Sequence, residues 1–222
     1  MILNTRRLIY QLFKGVFGAE PNADTITALK DDFTHEVLEL LLDEEALAPF
    51  LELSKNLSIA NLDSLKSEYT YLFIGPNKLP APPWGSVYIG KEKLLFTKST
   101  LEVRGAYLKY NLIHSNYPHA ADDHISTELD FMAYLSKRSI TAQTLESTGE
   151  FTQLLAHTGE YKQLLTDQQE FLQTHMLTWI KDFSEQIQKS KTNHLYPTMA
   201  TLLYQFLLLD NNLLTELLEE AN

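Results

Sequence analysis

The sequence predicts an all-α fold, a single helical domain (1–222) of about nine or ten helices with one Pro/Trp-rich loop between its halves. Three observations carry this expectation. Leucine occurs 40 times in 222 residues, mostly at the three- and four-residue spacing of a helix stripe. Only 8 glycines and 8 prolines are present, too few for a turn-dense β architecture. No segment shows a series of period-2 strands. A chain of this length also buries a sizeable core.

The elements follow in order. Leu8, Leu12 and Val16, with Ile9 and Phe13 beside them, mark one face of a first helix behind Asn4 or Thr5 as cap, and Pro21-Asn22 breaks it. Asp24 caps a second helix through Leu29 and Phe33. Val37, Leu40 and Leu41 continue the pattern, and Glu44 to Leu57 is a further amphipathic stretch. Asn61 or Asp63 starts a helix carrying Leu62, Leu65, Tyr69, Leu72 and Phe73, which Gly75-Pro76 terminates. Four prolines and three glycines then fall between Gly75 and Gly90, around Trp84. This composition predicts a loop, with Ser86 to Ile89 as a short extended piece.

Ser99 or Thr100 caps the next helix, through Leu101, Leu108 and Tyr110. A second loop, 115–121, holds Pro118 and His119. Asp122 or Asp123 then caps a strong helix with Ile125, Leu129 and Met132 on one face, since a carboxylate suits both the free N–H groups and the positive end of a helix. Residues 139–166 are rich in Thr, Gln and Ser, and Gly149 and Gly159 divide them into short, irregular helical pieces. A long helix is expected over 167–189, with Leu172, Met176, Trp179, Phe183 and Ile187 on one stripe. The last helix runs from Tyr196 to Glu220 with Pro197 in its first turn, bent or split at Asp210-Asn211-Asn212. The N-terminal half is thus about 1–114, the C-terminal half about 122–222, and 111–122 joins them.

Composition excludes several classes of function. There is no cysteine, hence no disulfide framework, thiolate metal site or thiol nucleophile. Asp and Glu number 29 against 18 Lys and Arg, a net charge of -11. That field repels nucleic acid and anionic lipid and attracts cationic partners. Arg6-Arg7 mimics a twin-arginine export signal, but Gln11 and Lys14 interrupt any apolar run behind it. Phe206 to Leu209 is far shorter than a membrane span. A cytoplasmic protein with no stable membrane insertion is expected.

The densest polar cluster is His114, His119, Asp122, Asp123 and His124. Imidazole and carboxylate suit zinc, iron or manganese, so a metal-dependent hydrolase on a helical scaffold, using His114, His119, Asp123 and His124, is the alternative function. The spacing matches no known metal pattern, and the Gly-rich phosphate loops and the G-x-S-x-G elbow are missing. Glu128 lies four residues after His124, as an orienting group or an ordinary i,i+4 pair. His175 and Trp179, also four apart, read as packed core positions. With no complete catalytic set and no cofactor motif, a binding module is favoured over an enzyme.

Three collinear segments resemble one family. They are Tyr69-Thr70-Tyr71-Leu72-Phe73-Ile74-Gly75-Pro76 running into Leu79-Pro80-Ala81-Pro82-Pro83-Trp84-Gly85-Ser86-Val87-Tyr88; Asp123-His124-Ile125-Ser126-Thr127-Glu128-Leu129-Asp130-Phe131-Met132; and Phe171-Leu172, His175-Met176-Leu177 and Trp179-Ile180, followed by Tyr204-Gln205-Phe206. Together they look like the TorD/DmsD family of redox-enzyme maturation chaperones, most like the DmsD branch in the 82–88 loop and from Leu94 to Leu101. The family's E-P-x-D-H hinge motif is here Ala120-Ala121-Asp122-Asp123-His124. The two alanines weaken any carry-over of the guanine nucleotide binding linked to the family.

The resemblance implies a non-enzymatic chaperone. Such proteins bind the twin-arginine leader peptide of a molybdenum-containing oxidoreductase, of the dimethyl sulfoxide reductase type among others, and hold this client for cofactor loading before export by the Tat machinery. It implies a peptide site of Tyr69, Leu72, Phe73, Pro83, Trp84, Asp123, His124 and Glu128. Leu72, Phe73, Pro83 and Trp84 would line a groove for the leader's apolar stretch, with Trp84 as anchor. Asp123, with Asp122 and Glu128, would meet its arginines, and His124 would tune that carboxylate or bond the leader backbone. Family members occur as monomers and as domain-swapped dimers, and 111–122 is the candidate hinge.

Overall fold

The computed structural model describes residues 1–90, 92–148, 159–190, 192 and 195–221. The chain is all-α as expected. Its helices are α1 (Ile2–Gly18), α2 (Ala23–Lys30), α3 (Asp32–Glu39), α4 (Glu44–Asn56), α5 (Leu62–Tyr69), α6 (Ser86–Ile89), α7 (Lys98–Leu108), α8 (Ile125–Thr148), α9 (Glu160–Thr174), α10 (Ile180–Lys189) and α11 (Tyr196–Glu220). A π-helical turn, Thr70–Ile74, extends α5, and 3-10 turns occupy Ile59–Asn61 and Met176–Thr178. Among the described residues no helix is long and apolar enough to cross a membrane.

Helix α1 buries Ile9, Tyr10, Phe13, Val16 and Phe17 and lies along α8. The two approach closely at Gly18, where an added Cβ would come 2.9 Å from Ser126 Cβ. Helix α9 packs on α8 and on α11, and α11 also receives α4 and α10. Aromatic rings fill the centre. Phe73 meets Phe17, Phe183 and Tyr196 at centroid separations of 6.3, 6.0 and 5.0 Å.

A buried ion pair ties the two ends of the chain together. Arg6 donates from Nε and Nη2 to Asp210 Oδ1 and Oδ2 at 2.5 and 2.9 Å, and the Tyr10 hydroxyl donates to Asp210 Oδ2 at 2.6 Å. Asp210 therefore anchors the middle of an unbroken α11, and the expected split at Asp210-Asn211-Asn212 is corrected.

Other local expectations are corrected too. Asn22, not Asp24, caps α2 in a reciprocal box with Thr25, and a break at Asp31 separates α2 from α3. Ser86 to Ile89 is a helical turn rather than an extended piece. Helix α7 begins at Lys98 behind Thr97, just before the expected caps. The long helix over 167–189 is interrupted at His175–Trp179, because Trp179 turns inward to a partner on α8. Where short, irregular pieces were expected over 139–166, α8 continues to Thr148 and α9 begins at Glu160; 149–158 lies outside the described residues.

Candidate functional site

The Pro/Trp loop is pinned onto the start of α8. Gly85 N–H donates to the Asp123 carbonyl at 3.0 Å, and Ile125 N–H donates to the Pro83 carbonyl at 2.9 Å. Trp84 and His124 thereby form an isolated antiparallel bridge. The Asp123 side chain completes the junction, its Oδ2 accepting from Ser86 N–H at 2.5 Å. Asp122 is held from the other side by Arg104, with Nε and Nη2 at 2.8 and 2.7 Å.

Both aspartates are thus engaged by distant parts of the chain, and the expectation that one caps α8 is corrected. His124 serves there instead. Its Nδ1 accepts from Ser126 N–H at 3.2 Å and lies 2.8 Å from Ser126 Oγ. Burial pushes the His124 imidazole down to about 4, against the pull of Asp123. The ring is therefore neutral at physiological pH, and Trp84 meets it edge-on with centroids 5.3 Å apart.

Trp179 forms the floor beneath this bridge. A Cβ added at Gly85 would lie 2.9 Å from Trp179 Nε1, so only glycine lets the loop pass so close. Tyr88 stacks on the indole at 5.5 Å. The indole N–H donates to Glu128 Oε2 at 3.1 Å. Glu128 is 1% exposed. Burial first, and the charge of Asp123 second, hold its carboxyl well above the usual range.

This has a measurable consequence. At low pH Glu128 is protonated in folded and unfolded chains alike. As pH rises through the ordinary carboxylate range, the unfolded chain releases the proton while the folded chain keeps it, so stability declines until the folded group titrates. Glu128→Gln preserves the acceptor for Trp179 and has no proton to release. Its urea midpoint is expected to match wild type at about pH 4 or below and to exceed it at about pH 8. A wild-type advantage at the higher pH would mean that Glu128 is ionised and stabilised in the fold.

The surface around Trp84 is a trench of adjoining clefts. One, of 670 Å³, runs between the Pro-rich loop (Leu79, Pro80, Pro82) and α10, which contributes Asp182, Glu185 and Lys189; Lys78 and Lys93 also border it. A second, of 340 Å³, is lined by Trp84, Leu95, Phe96, His119, Ala121 and His124 among others. Trp84 and Leu95 line both clefts. A third, of 490 Å³, shares His114, Ser126 and Thr127 with the second and reaches the Lys14–Asp130 ion pair.

The expected site residues separate by depth. Trp84 and His124 are partly exposed on the trench. Tyr69, Leu72 and Phe73 lie in the core, and Pro83 is buried beside the bridge, so the expected groove walled by Leu72 and Phe73 is corrected. Asp123 and Glu128, each 1% exposed, support the ridge from below, and Asp122 already holds Arg104. None of these three carboxylates faces a surface-bound arginine in this conformation.

Leu95, Phe96, Asp182 and Glu185, which line the clefts beside Trp84, are not among the residues the sequence singles out for a site. The first two had a signal in three consecutive large apolar residues within a polar loop. The acids sit opposite Phe183 and Ile187 on α10, where an amphipathic pattern leaves polar residues unremarked.

The hydrolase alternative loses its ligand set. His114 Nδ1 accepts from Asn116 N–H at 3.1 Å, His124 Nδ1 is taken by Ser126, and Asp123 lies under the loop. Among the described residues no group of three or more His, Asp or Glu is placed to hold a metal ion.

Comparison with known proteins agrees with this architecture. Residues 39–185 match the family described as nitrate reductase delta subunit. A Haemophilus influenzae protein assigned as the Tat proofreading chaperone DmsD is 29% identical over 197 residues, 86% of this chain and 83% of that one. The Salmonella typhimurium Tat proofreading chaperone DmsD is 38% identical over 133 residues, 60% of this chain and 63% of that one. The chaperone protein TorD of Vibrio cholerae serotype O1 is 27% identical over 235 residues, spanning 100% of this chain and 97% of that one. A crystal structure assigned to a redox enzyme maturation protein of Archaeoglobus fulgidus shares the fold, with a TM-score of 0.50 at 22% identity over 91% of this chain and 93% of that one. The chain belongs to the nitrate reductase delta subunit family, and within it is similar to TorD and DmsD chaperones.

Proposed function

We propose that the protein is a cytoplasmic, non-catalytic chaperone that binds the twin-arginine leader of an exported molybdoenzyme and holds this client until its cofactor is loaded. The observation that carries this reading is the ridge of Trp84 and neutral His124, flanked by clefts on both sides and built from two of the three segments that carry the family resemblance. An aromatic anchor between clefts suits an extended or helical apolar segment. The net charge of -11 steers a basic leader toward the surface. Asp182 and Glu185 are the exposed carboxylates of the cleft beside Trp84 and are its candidate arginine partners. The 38% identity to a Tat proofreading chaperone DmsD over 60% of this chain favours a DmsD-type role, and the family resemblance suggests a client of the dimethyl sulfoxide reductase type.

Calorimetric titration with a twin-arginine leader, and with the same peptide bearing glutamines for the paired arginines, tests the reading. Micromolar or tighter binding of the first, and clear weakening with the second, is expected. Equal binding of both would favour a general adaptor without leader specificity, and binding of neither would overturn the reading.

Asp123 separates positioning from direct contact. Asp123→Asn keeps an acceptor for Ser86 N–H without the charge and is expected to retain leader affinity within about threefold. Asp123→Ala frees the loop and should lose about tenfold or more, roughly the 1.4 kcal/mol of one such bond. If Asn is as damaging as Ala, Asp123 itself meets the arginines.

A further inference from the structure

The loop between α6 and α7 exposes Leu94, Leu95 and Phe96 at 54, 40 and 54%. Contiguous apolar exposure of this kind marks interaction sites more often than scattered residues do. The backbone is also held in an unfavourable shape to present them. Lys93 and Phe96 have φ of 52° and 59°, the left-handed region that bulky side chains avoid. Leu95 and Phe96 line the same 340 Å³ cleft as Trp84 and His124.

Charge distribution selects the occupant. No Asp, Glu, Lys or Arg lines this cleft, and His124 is neutral down to about pH 4. Charged groups border the clefts on either side, Asp182, Glu185 and three lysines in one and Lys14–Asp130 in the other. A chain lying along the trench meets carboxylates and ammonium groups towards its ends, and in the middle only imidazoles and uncharged side chains.

We propose that Leu95 and Phe96 form the outer wall of an apolar subsite with Trp84, and that this subsite takes the uncharged apolar stretch following the arginines of a leader peptide. The proposal rests on leader binding as read above, and the test separates the two. Two peptides are titrated, one a twin-arginine leader with a leucine-rich stretch and the other with those leucines replaced by serine. For the leucine-rich leader, Leu95→Ser/Phe96→Ser is expected to weaken binding at least tenfold. For the serine peptide, wild type and variant should bind alike.

Phe96→Gly removes the ring and relaxes the left-handed backbone, so it should lose affinity while its Tm holds or rises. Phe96→Leu should keep most of the affinity. Unchanged affinity of the double variant for the leucine-rich leader overturns the proposal, as does an equal loss on both peptides. A change in self-association by sedimentation without a change in peptide affinity also overturns it, and assigns the loop to a contact between copies. Failure of wild type to bind any twin-arginine leader overturns the function instead.

Discussion

Trp84→Ala is expected to lose roughly 30- to 150-fold in leader affinity, about 2–3 kcal/mol, the scale of a central aromatic anchor. The fold should survive this change. The bridge to α8 is made by backbone groups of Pro83, Gly85, Asp123 and Ile125, none of which the substitution removes. The indole itself is only partly buried and meets His124 by its edge. Titration calorimetry alongside thermal melting separates the two quantities. A large affinity loss with Tm within a few degrees supports an anchor. An unchanged affinity would remove Trp84 from the site, and a collapse in Tm would make it a core residue.

The largest expected effect on stability is at the buried ion pair between α1 and α11. Asp210→Ala leaves the Arg6 guanidinium fully buried without its counter-charge, and also strips the Tyr10 hydroxyl of its acceptor. Breaking one side of a buried pair typically costs about 3–5 kcal/mol, a large part of the margin of a domain this size. Urea unfolding should show it as a lower midpoint with an unchanged slope. Arg6→Met/Asp210→Leu removes both charges and is expected to recover most of the loss, since the pair's desolvation penalty disappears with it. A loss below about 1 kcal/mol in Asp210→Ala would mean that water or a shifted side chain reaches Arg6.

Much of the fold was legible because helices declare themselves through local periodicity. The stripe of Ile9, Phe13 and Val16 needs only a neighbour to bury against, and the choice of α8 does not alter the pattern. Legibility failed where a residue's role depends on a distant partner. Asp122 and Asp123 stand where a helix cap would stand, yet Arg104 and Ser86 take their oxygens, and His124 takes the first-turn N–H. Trp179 fits a helical stripe, but its indole seeks Glu128 and breaks the helix at 175–179.

The site was legible in the same measure. The Pro-rich loop around Trp84 and the Asp-Asp-His stretch before α8 stand out by composition, but only the family resemblance ties them to a peptide site. The groove walled by Leu72 and Phe73 is an implication of the family resemblance, not of any local pattern. The π turn at 70–74 instead turns Leu72 and Phe73 into the core and leaves Tyr71 and Ile74 at the surface. Exposed Leu95 and Phe96 reverse the usual expectation for apolar residues, and no periodicity signals that.

Photo-crosslinking tests most directly that the Trp84 trench holds the leader. A twin-arginine leader carrying a benzophenone side chain in its apolar stretch is bound, irradiated and mapped by mass spectrometry. Adducts are expected at Trp84, within 92–97 and within 114–124, and excess unlabelled leader should abolish them. Adducts confined to another surface, such as the 630 Å³ cleft beside the π turn lined by Lys66, Tyr71 and Asn77, would contradict the account.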